Sequence, residues 1–469
     1  MSDSTSPSAR ASTGRGSLRT AGRAVLVLLL VVVGVWAGGT VLHDPQLDLP
    51  AGRERVVFWH FWGGAERDVV RQVVDRFNRS QSRYHVEEVP VPGQNLDMKF
   101  YMSLAGGDAP DLLNQDDQVV AQWAARGVLT PLRELTESDA EYRELQGWLS
   151  PSAARIGEWN GELYALCNAI DIRAMLYRAD VLQGQPPPVT IEEFTQLAMV
   201  ESETPDRIRY VPDDRRLWAW GVAFGGSFYD EQTRTVTAND PRIVAALEWM
   251  TSFTKFHGVE AIRAFRSINR EAGAGSMLLD GRYGLMMDGQ WRVPELDAAL
   301  KSTASAGSVA ATAGIGRYAV GPLPSPAGGR ERAGWVNGNF FVVPLGANCP
   351  RGAWEFMKFW SGFGGNEREA ALTAASGGWI PASPAVIRQP VFQKLLGEHP
   401  QFRTFVELAA SENQLPTPAT PVQAYFYERV NRAAEESLTL QKSPQQALDE
   451  ATREIQQRLD AALKSQAGQ

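Results

Sequence analysis

Residues 55–66 read RVVFWHFWGGAE. Arg55 to Phe61 is a continuous apolar run, the pattern of a strand buried on both faces. Gly63-Gly64 ends it, and a helix is predicted next, with Val69, Val70, Val73, Val74 and Phe77 on one stripe. Tyr84 to Val91 reads as the following strand, closed by Pro92-Gly93. A second helix, a short strand over Asp111 to Asn114 and a helix from about Gln118 continue the alternation. Strand, helix, strand, helix, strand predicts a parallel α/β lobe, and such sheets bind ligands beyond the carboxyl ends of their strands. His60, Trp62, Asp116 and Asp117 stand at those ends.

Further along, Asp240-Pro241 is an N-cap followed by proline in the first helical turn. Ile243, Ala246, Leu247 and Met250 form the core face of that helix. Ser443-Pro444 starts the last helix the same way, with Gln446 placed for a capping box. Its inward stripe is Leu448, Ala451, Ile455, Leu459 and Ala462. Pro186-Pro187-Pro188 reads as a stiff surface turn and Lys301 to Gly316 as a small-residue loop. No internal repeat stands out.

The chain has 469 residues, more than one ordinary core holds, and suits two lobes with additions. A net charge of −8 argues against nucleic acid or an anionic lipid surface as the main partner. Five histidines and two cysteines leave little material for a metal site or a disulfide framework, so no metal and no cofactor is expected. Cys167 and Cys349 read as two buried thiols, and sequence does not show whether their sulfurs meet.

Residues 1–23 are rich in Ser, Thr and Gly and carry Arg10, Arg15, Arg19 and Arg23. The uncharged run Ala24 to Leu42 follows, which as a helix spans about 28 Å. Arginines before it and Asp44 and Asp48 after it predict an N-inside orientation. A retained transmembrane anchor is the first expectation. The alternative is a signal segment cleaved after Val35-Trp36-Ala37. No cysteine lies near residue 40, which excludes a lipid-modified N-terminus. Either way the body lies on the extracytoplasmic face of the cell membrane, beyond a 43–52 linker.

Residues 55–66 resemble the opening strand and turn of family-1 extracellular solute-binding proteins. LAGGDAPDLLNQDD (104–117) resembles that family's next segment, and YALCNAIDIRAMLYRADVL (164–182) its crossover between lobes, where proline is commoner than Cys167. DGRYGLMMDGQW (280–291) and residues 335–360, ending AWEFMKFW, resemble its second half. The resemblance implies an α/β, two-lobed fold of the periplasmic-binding-protein type II class, with a hinge and an interlobe cleft. By analogy with maltose-binding proteins, lobe one takes residues 53–168 and 338–392, and lobe two takes 169–337 and 393–465. The chain would cross near Asn168–Asp171, Asn337–Phe341 and Phe392. The implied function is the substrate-binding component of an ABC importer, a monomer that takes a carbohydrate and delivers it to membrane permease subunits. The alternative is a binding protein for a glycerol phosphodiester or polyol.

A pyranose has apolar faces and a rim of hydroxyls, so flat aromatics with carboxylates, amides and arginines suit it. The chain has 14 tryptophans. Trp62, before paired glycines, and Trp291, whose motif places a sugar-stacking tryptophan in relatives, are predicted stacking platforms. Trp335, Asn337 and Asn339 near the return crossing, and Trp379 after Gly377-Gly378, are further candidates. Asp116 and Asp117 would accept sugar hydroxyls or cap the next helix. Asp171 and Arg173 would reach ligand or form a hinge ion pair, and His60 would donate to a hydroxyl or support a neighbour. Trp59, Trp249, Trp354 and Trp360 read as core. Gly314-x-Gly316-x-x-Ala319 nominally matches a dinucleotide fingerprint but runs into Gly321-Pro322 rather than a helix. No phosphate loop, HExxH, CxxC or Gly-x-Ser-x-Gly elbow is present. No catalytic role is expected, although a glycoside-acting enzyme would need only two carboxylates. Absence of an arginine cluster near these segments favours a neutral sugar.

Overall fold

A computed structural model describes residues 52–467, except 94–95, 203 and 306–316. The expected anchor, residues 24–42, lies outside the described residues. Among the described residues no helix is long and apolar enough to cross a membrane.

The opening run forms strand β1, Glu54–His60. One face, Val56, Phe58 and His60, is fully buried, while Val57 and Trp59 on the other are only partly covered. Helix α1 (Gly64–Ser80) buries Val70, Val73, Val74 and Phe77. Strand β2 (Tyr84–Pro90) and strand β3 (Leu112–Asp116) lie parallel to β1 on either side, with helix α2 (Leu96–Gly106) between them in sequence. The alternation read from the first strand is present.

What the local pattern does not announce is β4, Ala165–Arg178, 14 residues of almost unbroken burial. It reaches strands in both halves of the molecule. Its first half pairs antiparallel with β7 (Gly334–Val342), which also pairs with β3. Its second half pairs with β5 (Leu285–Gly289) and β6 (Tyr318–Gly321). The start of β7 pairs in turn with β8, Gln414–Leu415. Gly338 lets β7 lie this close: a Cβ there would stand 2.3 Å from the Ala169 carbonyl oxygen.

Two apolar clusters flank these shared strands. The first gathers Phe58, Val73, Leu113, Leu166, Phe341, Trp354 and Trp360. The second gathers Tyr177, Phe194, Trp218, Trp220, Phe253, Leu285 and Phe426. Helix α3 (Pro241–His257) contributes its predicted face to the second, with Asp240 accepting from the Arg242 N–H at 2.8 Å. The last helix (Pro444–Ala467) buries Leu448, Ala451, Ile455 and Leu459 there. Its capping box is half made. Ser443 Oγ accepts from the Gln446 N–H, while the Gln446 side chain donates to Glu450 instead.

Lys301–Ser305 continue helix α4 (Arg292–Ser305), where a loop was expected. Past Phe392, the helices Pro390–Glu398 and Pro400–Ala409 still give their apolar side chains to the first cluster. The second of them also packs on β6. The cysteines are both buried free thiols.

Candidate functional site

Where β4 and β7 run from one cluster to the other, polar side chains replace apolar ones. The register sets Asn337 opposite Asp171, and Asn339 opposite Asp116 of β3. The Asn339 amide donates to Asp116 at 2.8 Å, and the Gly338 N–H donates to Asp117 at 3.3 Å. Gln290 fastens the other side: its amide donates to Asp171 at 2.8 Å and to the Ile170 carbonyl at 3.1 Å, and its oxygen accepts from the Ile172 N–H.

Burial pushes the Asp116 carboxyl up to about 7, with the Asp171 charge adding to it and Arg173 and Asn339 opposing. Asp117 and Asp171 are raised for the same first reason, Asp117 also by Asp116. Glu66, in the first turn of α1, joins them: burial and then the Asp171 charge raise it, against a hydrogen bond from Trp379. Water nevertheless reaches Glu66, and Asp116 and Asp171 are only half-buried. These groups feel one another's charge yet are reached by water.

Arg173 faces them from β4. Its guanidinium carbon lies 4.6 Å from the Trp291 ring centre and 5.3 Å from that of Trp335, a cation–π arrangement. Burial, and then Arg216, lower its pKa to about 10. Trp291 is half-buried and lies directly over Gly289, where a Cβ would stand 2.1 Å from the ring. Trp335 stacks on Tyr427 and donates its Nε1–H to Thr417. Several buried polar atoms here have no protein partner: Asp117 Oδ2, Asn337 Oδ1, and Nε and Nη1 of Arg173. Unpaired buried donors and acceptors are costly unless something binds them.

Asp116, Asp117, Asp171, Arg173, Trp291, Trp335 and Asn337 therefore converge as a group. Three other predicted residues stand differently. His60 is fully buried, and its Nε2 is held 2.7 Å from Glu88, which Arg67 and Arg71 also bind. Trp62 folds back into the first cluster, 4% exposed, stacked on Trp360 at 5.5 Å and Trp379 at 5.3 Å. Trp379 is equally buried and touches the polar group only through its bond to Glu66. The glycine breaks beside Trp62 and Trp379 turn the chain, but the rings find apolar partners at hand.

Sequence reading passed over Glu66, Gln290, Asp288 and Tyr427. Glu66 is an acidic first-turn residue of a kind many helices carry, and Gln290 carries no signal beyond standing next to Trp291. An arginine group also emerges that the sequence disperses: Arg216 and Arg292 flank Asp288 at 3.9 and 2.7 Å, near Arg173. Among the described residues no three His, Cys, Asp or Glu side chains are placed to hold a metal. A cavity of 620 Å³ opens between residues 151–161, 218–234 and 415–419, and it adjoins the polar group through Thr417, which takes the Trp335 Nε1–H, although none of the converging residues lines it.

One sheet is thus shared between two apolar clusters, with polar side chains and tryptophans at the passage between them. Residues 72–402 match the model of the bacterial extracellular solute-binding proteins, and the chain belongs to that family. A maltotriose-binding protein of Pyrococcus abyssi is 24% identical over 348 residues, 72% of this chain and 69% of its own length. The mannotriose-bound structure of CpMnBP1 superposes with a TM-score of 0.70 at 20% identity, covering 85% of this chain and 99% of that one. The GacH receptor of Streptomyces glaucescens, solved unliganded and with acarbose, gives 0.68 at 21% identity, covering 88% and 99%. These likenesses carry the fold, a mixed α/β architecture shared with two-lobed proteins.

Proposed function

We propose that this protein is the substrate-binding component of an ABC importer, closing two lobes on a carbohydrate and delivering it to membrane permease subunits. The observation that carries this reading is the convergence of Asp116, Asp171, Asn337 and Arg173 beside Trp291, with buried donors and acceptors still unpaired. Such a set offers both hydrogen-bonding senses around an aromatic face, which is what a sugar ring requires. The maltotriose, mannotriose and acarbose named for the similar proteins agree in ligand class. The lobes divide near residues 168 and 338, the helices Pro390–Glu398 and Pro400–Ala409 go with the first cluster rather than with lobe two, and β4 and β7 serve as the hinge. Residues 24–42 hold the body on the outer face of the membrane. The protein binds its sugar without cleaving it.

Calorimetric titration of the full chain with mannotriose, maltotriose, a polyol and a glycerol phosphodiester tests this. Saturable binding of a trisaccharide without release of smaller sugars is expected. Binding of only the polyol or the phosphodiester, or hydrolysis, would overturn the assignment. N-terminal sequencing of cell-extracted protein tests the anchor, and a start at Gly38 would refute it.

A further inference from the structure

At the crossing between the clusters β4 keeps one partner on one edge and changes partner on the other. On the first edge Ile170, Asp171 and Ile172 lie opposite Gly338, Asn337 and Val336 of β7. On the second edge β5 runs out at Gly289, which lies opposite Arg173. Further back along that edge the Ile170 N–H donates to the Ile380 carbonyl at 2.9 Å, one residue past Trp379. Between these two partners the Ile172 N–H and the Ile170 carbonyl would stand open, in residues no more than 1% exposed. Buried backbone groups left open are costly, and folds find partners for them.

Gln290 supplies the partner with its side chain, which is fully buried. Its oxygen accepts from the Ile172 N–H at 3.1 Å, and its Nε2 donates to the Ile170 carbonyl at 3.1 Å. One carboxamide thus presents the acceptor and the donor that a peptide unit of a longer β5 would present. The same Nε2 also donates to Asp171 Oδ1 at 2.8 Å. With the ladder served by a side chain, the main chain is free to leave it. Trp291 turns back over Gly289, its ring centre 4.6 Å from the Arg173 guanidinium carbon, and α4 starts at Arg292.

We propose that Gln290 is the positioning residue of this site. By standing in for a strand partner it fixes the Asp171 carboxylate and the Trp291 ring relative to each other, at the point where β4 passes from one cluster to the other. The proposal rests on the carbohydrate reading above and adds what sets the site for its sugar. A ligand stacked on Trp291 and bonded to Asp171 meets two groups held by one side chain and its own backbone.

The test is calorimetric titration of the full chain with maltotriose and mannotriose at pH 5 and pH 8, in Gln290→Glu and Gln290→Met. In Gln290→Glu the new carboxyl keeps an acceptor for Ile172. At high pH it faces Asp171 as a second negative charge, and at low pH the two share a proton and the donor is restored. Affinity should therefore match the unaltered chain at pH 5 and fall about tenfold below it at pH 8, the scale of a hydrogen bond to a charged group. Gln290→Met removes all three bonds and should bind about tenfold more weakly at both pH values. If that variant fails to fold, Gln290→Glu still decides, because one chain is compared with itself at two pH values. Affinities within about threefold of the unaltered chain throughout, or an equal loss at both pH values in Gln290→Glu, would overturn the proposal. If the unaltered chain binds neither trisaccharide, the carbohydrate reading falls, and near-ultraviolet circular dichroism of the unliganded chain decides this one. The Trp291 signal, identified by its loss in Trp291→Phe, should change between pH 5 and pH 8 in Gln290→Glu more than in the unaltered chain, and an equal change in both would overturn the positioning role.

Discussion

Two groups of tryptophans, equally conspicuous in the sequence, end in opposite environments. Trp62, Trp360 and Trp379 stack on one another with centroid distances of 5.3–5.7 Å and interplanar angles of 6–28°. Their neighbours are Phe58, Phe61 and Phe341, so the ring faces are spent on the first core. Trp291 and Trp335 instead flank Arg173, amid carboxylates and amides whose bonds are incomplete. The residue type is shared, and the partners differ. An aromatic ring becomes available to a ligand when its surroundings are polar and unsatisfied, and a nearby glycine alone does not make it so.

The comparison breaks most sharply at Trp62. Trp62→Ala removes a buried ring from a three-ring stack, and a large-to-small change of that kind costs about 3–5 kcal/mol of folding stability. A denaturant melt should show that loss. An unchanged melt with collapsed sugar affinity would move Trp62 into the binding site. Trp291→Ala should do the reverse. Its ring is half-buried, so the melt shifts little, while affinity falls by about 2 kcal/mol, roughly thirtyfold. Should affinity hold, the Arg173 face of Trp291 is structural only.

The opening strands and helices were legible because RVVFWHF, its glycine break and the valine stripe of α1 are local patterns, and local patterns set strands and helices. The same holds for Asp240-Pro241 and the stripe of the last helix. β4 and β7 were legible only through the family resemblance, since nothing in an apolar run says that its two halves pair with different strands. Within the site, Asp116, Asp171 and Asn337 could be named from their place near strand ends and crossings. Glu66 could not, because its nearness to Asp171 depends on how α1 meets the shared strands. Of the two roles open to His60, the contacts favour the supporting one: it stands at the strand end, and Glu88 on the neighbouring strand claims the ring.

A smaller effect separates the two regions by pH. The Asp116 carboxyl is raised to about 7 in the folded protein, above its unfolded value of about 3.9. A raised acid stabilises the fold fully below the unfolded value, and that contribution is lost as pH rises through about 7. The unfolding free energy of the unliganded protein, and with it the melting temperature, should therefore fall between about pH 4 and pH 7, the free energy by at most about 1.4 kcal/mol per pH unit for this group. Water reaching the half-buried carboxyl screens it below that limit. Asp116→Asn should flatten the slope, whereas Trp62→Ala should lower the whole curve and leave its shape alone. A slope unchanged in Asp116→Asn would place the titration elsewhere.

The smallest change tests the one residue that belongs to both groups. Trp379 stacks on Trp62 and Trp360, yet its indole N–H bonds Glu66, whose carboxyl feels the Asp171 charge. Trp379→Phe keeps an aromatic ring in the stack and removes the donor. Because Glu66 is open to water, a solvent hydrogen bond replaces the lost one, and the net cost should be about 1 kcal/mol. Sugar affinity should move less than about threefold, since by this reading the ring face never meets the ligand. Stability and affinity are to be measured on the same preparation, by melt and by titration. A tenfold loss of affinity with an unshifted melt would mean that Trp379 presents its face to the sugar, and the boundary between stack and site would have to be drawn on its other side.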